Sequence, residues 1–314
     1  MRGLFAPVAL GAALLALCGC GTPSPGGGGT TASAPAKAPA TEAAPAPYTY
    51  PAPVKGHYEE VNTGSFDLVD GIAYTASGGG TVVYVTEKTI ASPVLAGSTC
   101  PMTQARALTL LRNAAYLEVT LDASGGSSYF AGGTPYAGQG REEDVGGGYW
   151  KIAGGELSDG RIAGTVSYKG RGQFEFDLPV FKPGVNEVSE GDRVKGQRAD
   201  ETRRAPSEAE ATAAYTTLRR AALAKDLKAM LAAQGFDAKQ VASIRGLPDI
   251  DADLAAHADR FLDPGTPEEP SVGPGQGSVG GRGKNSKEAA FFNYYQFAPC
   301  GDKLVLVGIG ENPQ

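Results

Sequence analysis

Short runs of alternating apolar and polar residues, separated by turn residues, fill the sequence between positions 57 and 185. The segment 81–86 is typical, because it contains only threonine, valine and tyrosine. Alternation of period two and a high content of β-branched and aromatic residues both indicate strands. We predict strands at 65–70, 72–76, 81–86, 116–121, 149–152, 162–168 and 174–178. Many short strands of this kind are typical of a β-sandwich or barrel.

Two local signals add detail to this β-rich region. Pro101 suits the first turn of a helix, so residues 102–113 predict one helix inserted between strands. The dipeptides Asp70-Gly71 and Asp159-Gly160 favour tight turns, since glycine adopts positive φ without steric cost. We therefore expect directly joined strands at both dipeptides.

From residue 207 onward the apolar spacing becomes helical. Ser207 and Glu210 match a capping box, and apolar residues at intervals of three and four continue the helix to Gly235. Further predicted elements are helices at 237–245 and 249–262, a mobile loop at 264–287, and a hairpin of strands 289–297 and 303–309. The expected fold class is α+β: an N-terminal all-β sandwich or barrel with one inserted helix, then a small C-terminal helical region ending in a β-hairpin.

The first 19 residues have the composition of a signal peptide. One positive charge at Arg2 precedes an apolar stretch that is too short to cross roughly 30 Å of hydrocarbon. The stretch ends in Leu17-Cys18-Gly19-Cys20, which resembles the lipobox of bacterial lipoproteins. The resemblance implies cleavage before Cys20 and attachment of lipid, including palmitate, to its thiol. Because Gly21 follows where aspartate would favour the inner membrane, the resemblance implies sorting to an outer membrane.

The composition also predicts how the chain is divided. Residues 20–56 consist mainly of Gly, Pro, Ala, Ser and Thr, which bury too little apolar surface to fold, so we predict a lipidated, disordered linker. Such a linker places the folded part roughly 30 Å or more from the bilayer. The predicted organisation is signal peptide 1–19, linker 20–56, β-sandwich-like domain 57–185, charged linker 186–206 and small α+β domain 207–314.

The charge balance argues against one class of partner. The formal net charge is −6, and it becomes −7 when removal of residues 1–19 takes away Arg2. Binding to nucleic acid requires clustered Lys and Arg that neutralise phosphates. The densest basic stretch, 195–204, also contains Asp200 and Glu201. We therefore expect no nucleic-acid partner.

Two cysteines, Cys100 and Cys300, remain in the predicted folded domains. In an oxidising compartment, free thiols are uncommon. A disulfide between them would close a loop of about 200 residues and stabilise the folded state by roughly 4–5 kcal/mol. The alternative is two separately buried, unreactive cysteines.

We predict no catalytic residues, no metal site and no cofactor. Only two histidines occur, and we interpret His57 as a solvated edge residue and His257 as an exposed helix-face residue. The glycine pattern at 275–280 matches a dinucleotide motif, but it lacks the preceding strand and following helix that such binding requires. The alternative for His257 is catalysis together with acids between Asp249 and Asp259, because Asp253 lies one helical turn before it.

Two further resemblances involve longer stretches. The pattern G-x-F-x-L-x-D-G-x-A-Y at 64–74 and the segment 159–166 resemble a β-rich domain of bacterial lipoproteins, and this resemblance implies no activity. The pattern A-x-x-x-Y-x-x-L-R at 211–219 resembles ketosteroid-isomerase-like accessory domains. It implies a cone-shaped α+β fold for the C-terminal region.

Together these features predict a membrane-anchored envelope lipoprotein, held by lipid on Cys20 and facing the periplasm. We expect a non-enzymatic binding or interaction module for an envelope protein, a glycan or a small ligand. The alternative function is a hydrolase or isomerase with an interdomain site involving His257 and nearby acids.

Replacing the predicted lipidation site tests the anchor. Cys20→Ser is expected to move the protein from the membrane fraction to the soluble envelope fraction, because the thiol that accepts the acyl chains is lost. Cys18→Ser is the matched control and should leave the protein in the membrane. An unlipidated amino terminus in the wild-type protein, measured by mass spectrometry, would contradict the prediction.

Overall fold

The computed structural model describes residues 46–313, apart from gaps at 51, 61–63, 76–79, 96, 122–126, 133–139, 143–149, 169–171, 183–203, 262, 269 and 285–289. The predicted signal peptide, Cys20, and most of both predicted linkers lie outside the described residues.

The first half forms a ten-stranded sheet with two arms. One arm contains β1, β2, β8 and β9 around β10, and the other runs in the order β3-β4-β5-β6-β7. The end of β10 joins the arms, because Val180 and Phe181 pair in parallel with Ala73 and Tyr74 of β3. The bounds are β1 Val54–Glu60, β2 Gly64–Leu68, β3 Asp70–Thr75, β4 Thr81–Thr86, β5 Tyr116–Leu121, β6 Ser127–Gly132, β7 Gly140–Glu142, β8 Trp150–Ser158, β9 Arg161–Tyr168 and β10 Gly172–Phe181.

Strands β3, β4 and β5 are covered on both faces. Val83 and Leu117 pack against the first arm, in a cluster that includes Tyr58, Phe66 and Phe174. The opposite face packs against helices through Ile72, Tyr74, Val82 and Tyr84. This double burial accounts for the nearly continuous apolar sequence of β4. The predicted strands in this half are confirmed.

Six helices are described, two between β4 and β5 and four between the first sheet and the second. They are α1 Ser92–Leu95, α2 Pro101–Leu111, α3 Glu208–Leu223, α4 Leu227–Ala233, α5 Ala238–Arg245 and α6 Ile250–Ala258. The capping box is confirmed, since the Glu210 amide donates to the Ser207 hydroxyl at 3.2 Å and the Ser207 amide donates to Glu210 at 2.8 Å. No helix in the described part of the chain has both the length and the apolar character needed to cross a bilayer.

The predicted single helix from 207 to Gly235 is wrong, because it is two helices. Lys225 adopts a φ of 53°, which ends α3. The Asp226 side chain then accepts a hydrogen bond from the Ala229 amide at 2.9 Å and starts α4. An aspartate at this position favours a helix start over a continuous helix.

The second sheet has five strands in the order β11-β13-β14-β15, with β12 also paired to β13. Its bounds are β11 Asp263–Pro267, β12 Ser271–Gly273, β13 Gln276–Lys284, β14 Ala290–Cys300 and β15 Lys303–Pro313. The final hairpin is confirmed. The predicted mobile loop at 264–287 is wrong, because it contains β11, β12 and β13. Aromatic side chains of β14 fill the space that the glycines of β13 leave empty. The Phe292 ring, for example, lies over Gly280.

Of the two predicted turn dipeptides, only Asp159-Gly160 joins two paired strands, β8 and β9. The predicted turn at Asp70-Gly71 is wrong, because both residues lie inside β3. Gly71 is needed there, since a Cβ would lie 2.5 Å from the Tyr84 carbonyl oxygen. The buried Asp70 carboxylate accepts hydrogen bonds from Ser92 and from the Ile90 amide. Burial raises the pKa of Asp70, and these hydrogen bonds oppose that effect.

The described chain begins within the predicted linker 20–56. The Tyr48 amide donates to the Gly246 carbonyl at 2.9 Å, and its side chain packs against the helix-side core. A Cβ on Gly246 would lie 2.4 Å from the Ala46 carbonyl oxygen, so this close approach requires glycine. Strand β1 then begins at Val54, before the predicted end of the linker. The predicted boundary at 56 is therefore too late, because Tyr48 and Val54 are apolar enough to be packed.

Three charged side chains join the two halves of the sequence: Arg112 and Asp253 are buried, and Lys88 is partly exposed. Asp253 of α6 accepts from Arg112 Nε at 2.9 Å and from Lys88 Nζ at 2.7 Å. Arg112 is 2% exposed and also donates to the carbonyl oxygens of Thr89 and Pro248. Lys88 further donates to the Arg112 carbonyl at 2.7 Å. We call these three residues the ion cluster.

A disulfide also connects the halves. Cys100 immediately precedes α2 and Cys300 ends β14, with their Cα atoms 5.7 Å apart and 200 positions between them in sequence. Both residues belong to the hydrophobic cluster that packs the helices against both sheets.

Removing one member of the ion cluster should strongly destabilise the protein. Asp253→Asn leaves two cations without their carboxylate, so we expect a loss of about 3–5 kcal/mol in unfolding free energy. Asp177→Asn is the matched control, since Asp177 pairs with Arg161 at an exposed site and should cost less than about 1 kcal/mol. Urea denaturation measures both, and equal losses would contradict the prediction.

Candidate functional site

His257 lies inside the protein rather than on an exposed helix face. It is 3% exposed, and its ring contacts Phe261 edge-on at a centroid distance of 5.4 Å. Burial lowers the pKa of His257 to about 3, with a smaller contribution in the same direction from the positive charge of Arg260. The imidazole is therefore neutral at pH 7. The expectation of an exposed histidine is wrong because α6 packs this face against the core.

The acid one helical turn before His257, Asp253, is engaged elsewhere. Both oxygens of the Asp253 carboxylate bind cations of the ion cluster, Lys88 and Arg112. The imidazole Nδ1 has no hydrogen-bond partner among the described residues, while the backbone of Leu110 hydrogen-bonds to the ring. The alternative interpretation, in which His257 pairs with Asp253, is therefore not supported by the contacts of the Asp253 carboxylate.

His57 is placed differently, on the outward face of the β1–β2 hairpin. Its Nδ1 lies 3.0 Å from Asp67 Oδ1 and its Nε2 lies 2.5 Å from Ser65 Oγ. The side chain of His57 is 50% exposed and that of Asp67 is 80% exposed. The structure thus confirms that His57 is solvated, and it adds two polar partners. Ser65 and Asp67 are not among the residues predicted to form a site, because β1, the strand that pairs with theirs, was not predicted.

A second exposed group lies on the outward side of the second sheet. We call it the aromatic face, and it consists of Arg282, Phe292, Tyr294 and Gln296. The rings of Phe292 and Tyr294 meet edge to face at 4.5 Å, and Arg282 lies 5.5 Å from the centre of the Phe292 ring. Tyr294 remains 43% exposed, which is unusual for a large aromatic side chain at the middle of a sheet.

Glycines surround the exposed ring. Tyr294 pairs with Gly280 on β13 and with Gly310 on β15, so neither neighbouring strand places a side chain beside it. Gln296 likewise has Gly308 as its partner on β15. Gly310 therefore leaves the β15 side of the Tyr294 ring open to a flat ligand, whereas on the β13 side the Phe292 ring lies over Gly280.

Opposite charges border the aromatic face. Arg282 Nε hydrogen-bonds to Glu268 Oε1, and the two side chains are 66% and 42% exposed. Because these charges offset one another, the border offers donors and acceptors without a net charge. Within the described residues, no three or more His, Cys, Asp or Glu side chains group in a way that could hold a metal ion.

The described residues define an α+β protein with two exposed groups on its surface: the aromatic face, and the polar side chains of His57, Ser65 and Asp67 on β1 and β2. Comparison with known protein families, curated proteins and solved structures gives no match to the chain.

The buried histidine makes stability depend on pH. Since folding lowers the pKa of His257 from 6.5 to about 3, the unfolded state binds an extra proton between these values, and stability is lost as pH falls through this range. His257→Gln should remove about 1.4 kcal/mol per pH unit from the slope of unfolding free energy between pH ~6 and ~4. Urea unfolding at several pH values measures it, and equal slopes for the two proteins would contradict it.

Proposed function

We propose that the protein is a lipid-anchored envelope protein that binds a neutral glycan on its aromatic face. The observation that carries this proposal is the exposed Tyr294 ring between Gly280 and Gly310. The lipobox resemblance at Cys20 supports the location, and the linker after it would let the folded part reach polymers next to the membrane.

The chemistry of the aromatic face matches a sugar ring. The flat face of an aromatic side chain offers an apolar surface with negative potential, against which the C–H groups of a sugar can pack. The hydroxyl groups at the sugar edge need donors and acceptors, which Arg282, Glu268 and Gln296 provide. Because the Arg282–Glu268 pair is neutral overall, it favours an uncharged ligand over a strongly charged one.

An alternative occupant of the same surface would be an envelope protein. A stable protein interface needs a large apolar centre with charged residues depleted. The aromatic face instead places two rings among glycines and a solvated ion pair. These features favour a small, flat, hydroxylated ligand.

Removal of the exposed ring tests the proposal. Tyr294→Ala should weaken binding of N-acetylglucosamine oligomers by at least about tenfold, because about 1.4 kcal/mol of stacking is lost. Isothermal titration calorimetry on the full mature chain measures this change. Tyr50→Ala is the matched control, since Tyr50 is 56% exposed but lies outside the aromatic face, and it should bind as the wild type does.

Insoluble chitin and soluble neutral oligosaccharides extend the test to longer and different glycans. Equal retention of the wild-type protein and Tyr294→Ala on these polymers would overturn the proposal. Binding that is lost in 0.5 M salt, on the order of a 4 Å Debye length, would point to charge rather than stacking and would also overturn it.

A further inference from the structure

We infer that Ser65, His57 and Asp67 form a nucleophilic relay that cleaves carboxylic esters. This activity goes beyond glycan binding and rests on a different surface. The three side chains are connected in the order in which a serine hydrolase needs them. Ser65 Oγ lies 2.5 Å from His57 Nε2, and Asp67 Oδ1 lies 3.0 Å from His57 Nδ1.

The pairing of β1 with β2 explains why these side chains meet. His57 is opposite Asp67, and Glu59 is opposite Ser65. All four side chains point outward, whereas the intervening Tyr58 and Phe66 are buried beneath them with ring centroids 5.7 Å apart. The apolar side of the hairpin therefore fixes the register that aligns the polar side.

The alternation of hydrogen-bonded and non-hydrogen-bonded pairs along β1 brings the side chains of His57 and Asp67 closer still. The Asp177 amide donates to the Pro53 carbonyl at 3.1 Å, which makes this a hydrogen-bonded pair at the start of the β1–β10 ladder. Such pairs alternate along an antiparallel ladder, so His57 directs its backbone groups toward β10 and Tyr58 directs its own toward β2. His57 and Asp67 are consequently a non-hydrogen-bonded pair of β1 and β2, the type in which side chains approach more closely.

The same alternation directs the backbone amide of Ser65 to the side of β2 that faces away from β1. The backbone groups of Phe66 hydrogen-bond to β1, so the preceding residue along the strand, Ser65, directs its N–H away from β1. Within the described part of the chain, β2 is the outermost strand of its sheet and has no strand on that side. The backbone N–H of a nucleophilic serine is a donor that can stabilise the oxyanion formed during acyl transfer.

The reaction that this arrangement supports conserves atoms and charge. Ser65 Oγ attacks the ester carbonyl carbon while its proton moves to His57 Nε2, and the Asp67 carboxylate stabilises the resulting imidazolium. The tetrahedral intermediate breaks its bond to the alkoxy oxygen, which takes the proton from His57 and leaves as the alcohol. Water, deprotonated by His57, then attacks the acyl-Ser65 ester and releases the carboxylic acid.

Position and charge define the class of substrate. Because Ser65, His57 and Asp67 are exposed on a sheet face, the ester must be accessible on the outside of its own molecule. The exposed Glu59 beside Ser65 disfavours anionic esters. The substrates are therefore accessible carboxylic esters without a negative charge, carried on a larger molecule or free in solution.

Labelling of the full mature wild-type chain tests the nucleophile without any variant. A fluorophosphonate should modify Ser65, and rapid quenching during turnover of p-nitrophenyl acetate should trap an acetyl group on the same residue, both located by peptide mass spectrometry. Absence of both modifications from Ser65 would overturn the inference.

Kinetics of p-nitrophenyl acetate hydrolysis distinguish attack by Ser65, activated by His57, from catalysis by His57 alone. Ser65→Ala and Asp67→Asn should each lower kcat/KM at least tenfold, with circular dichroism unchanged because both sites are exposed. The matched control is Ser167→Ala, whose hydroxyl faces the Lys151 carbonyl on the same sheet, and it should react at the wild-type rate. A Ser65→Ala variant as fast as the wild type would show that His57 acts alone and would overturn the inference.

Discussion

The ion cluster of Lys88, Arg112 and Asp253 is the constraint on which the arrangement of the two halves depends. Removing the Asp253 carboxylate and the Arg112 guanidinium from water is costly, and only mutual pairing in a defined geometry offsets that cost. Its members come from the loop after β4, from the end of α2 and from α6. The helices can therefore dock on the first sheet only in the arrangement that satisfies all three charges, and the hydrophobic cluster shared by both sheets fills the space around them.

Much of the fold follows from local sequence, and the exceptions have identifiable causes. The alternation at 81–86 predicts β4, and Ser207 with Glu210 predicts the start of α3, because these signals involve neighbouring residues. The strand 276–284 could not be predicted, since its glycines become favourable only when the aromatic residues of β14 lie over them. The dipeptide Asp70-Gly71 is typical of a turn. Its contacts with Ser92 and Tyr84, which are distant in sequence, instead place it within a strand.

The surface sites were less predictable than the elements that carry them. Which residue opposes His57 depends on the β1–β2 register, and the low apolar content of 54–60 hides that strand in the sequence. Tyr294 belongs to a segment in which almost every residue is aromatic or apolar, so the sequence does not show which ring points outward. His257 is the opposite case, because its helical spacing from Ile250 and Leu254 already places it on the one buried face of α6.

The disulfide between Cys100 and Cys300 has a topological consequence for the protein. It closes a covalent ring through 200 positions of the chain, which includes all the described helices except α1. A single proteolytic cut anywhere inside that ring leaves the amino-terminal and carboxyl-terminal fragments covalently connected. Nicked molecules would thus stay in one covalent piece and separate only after reduction.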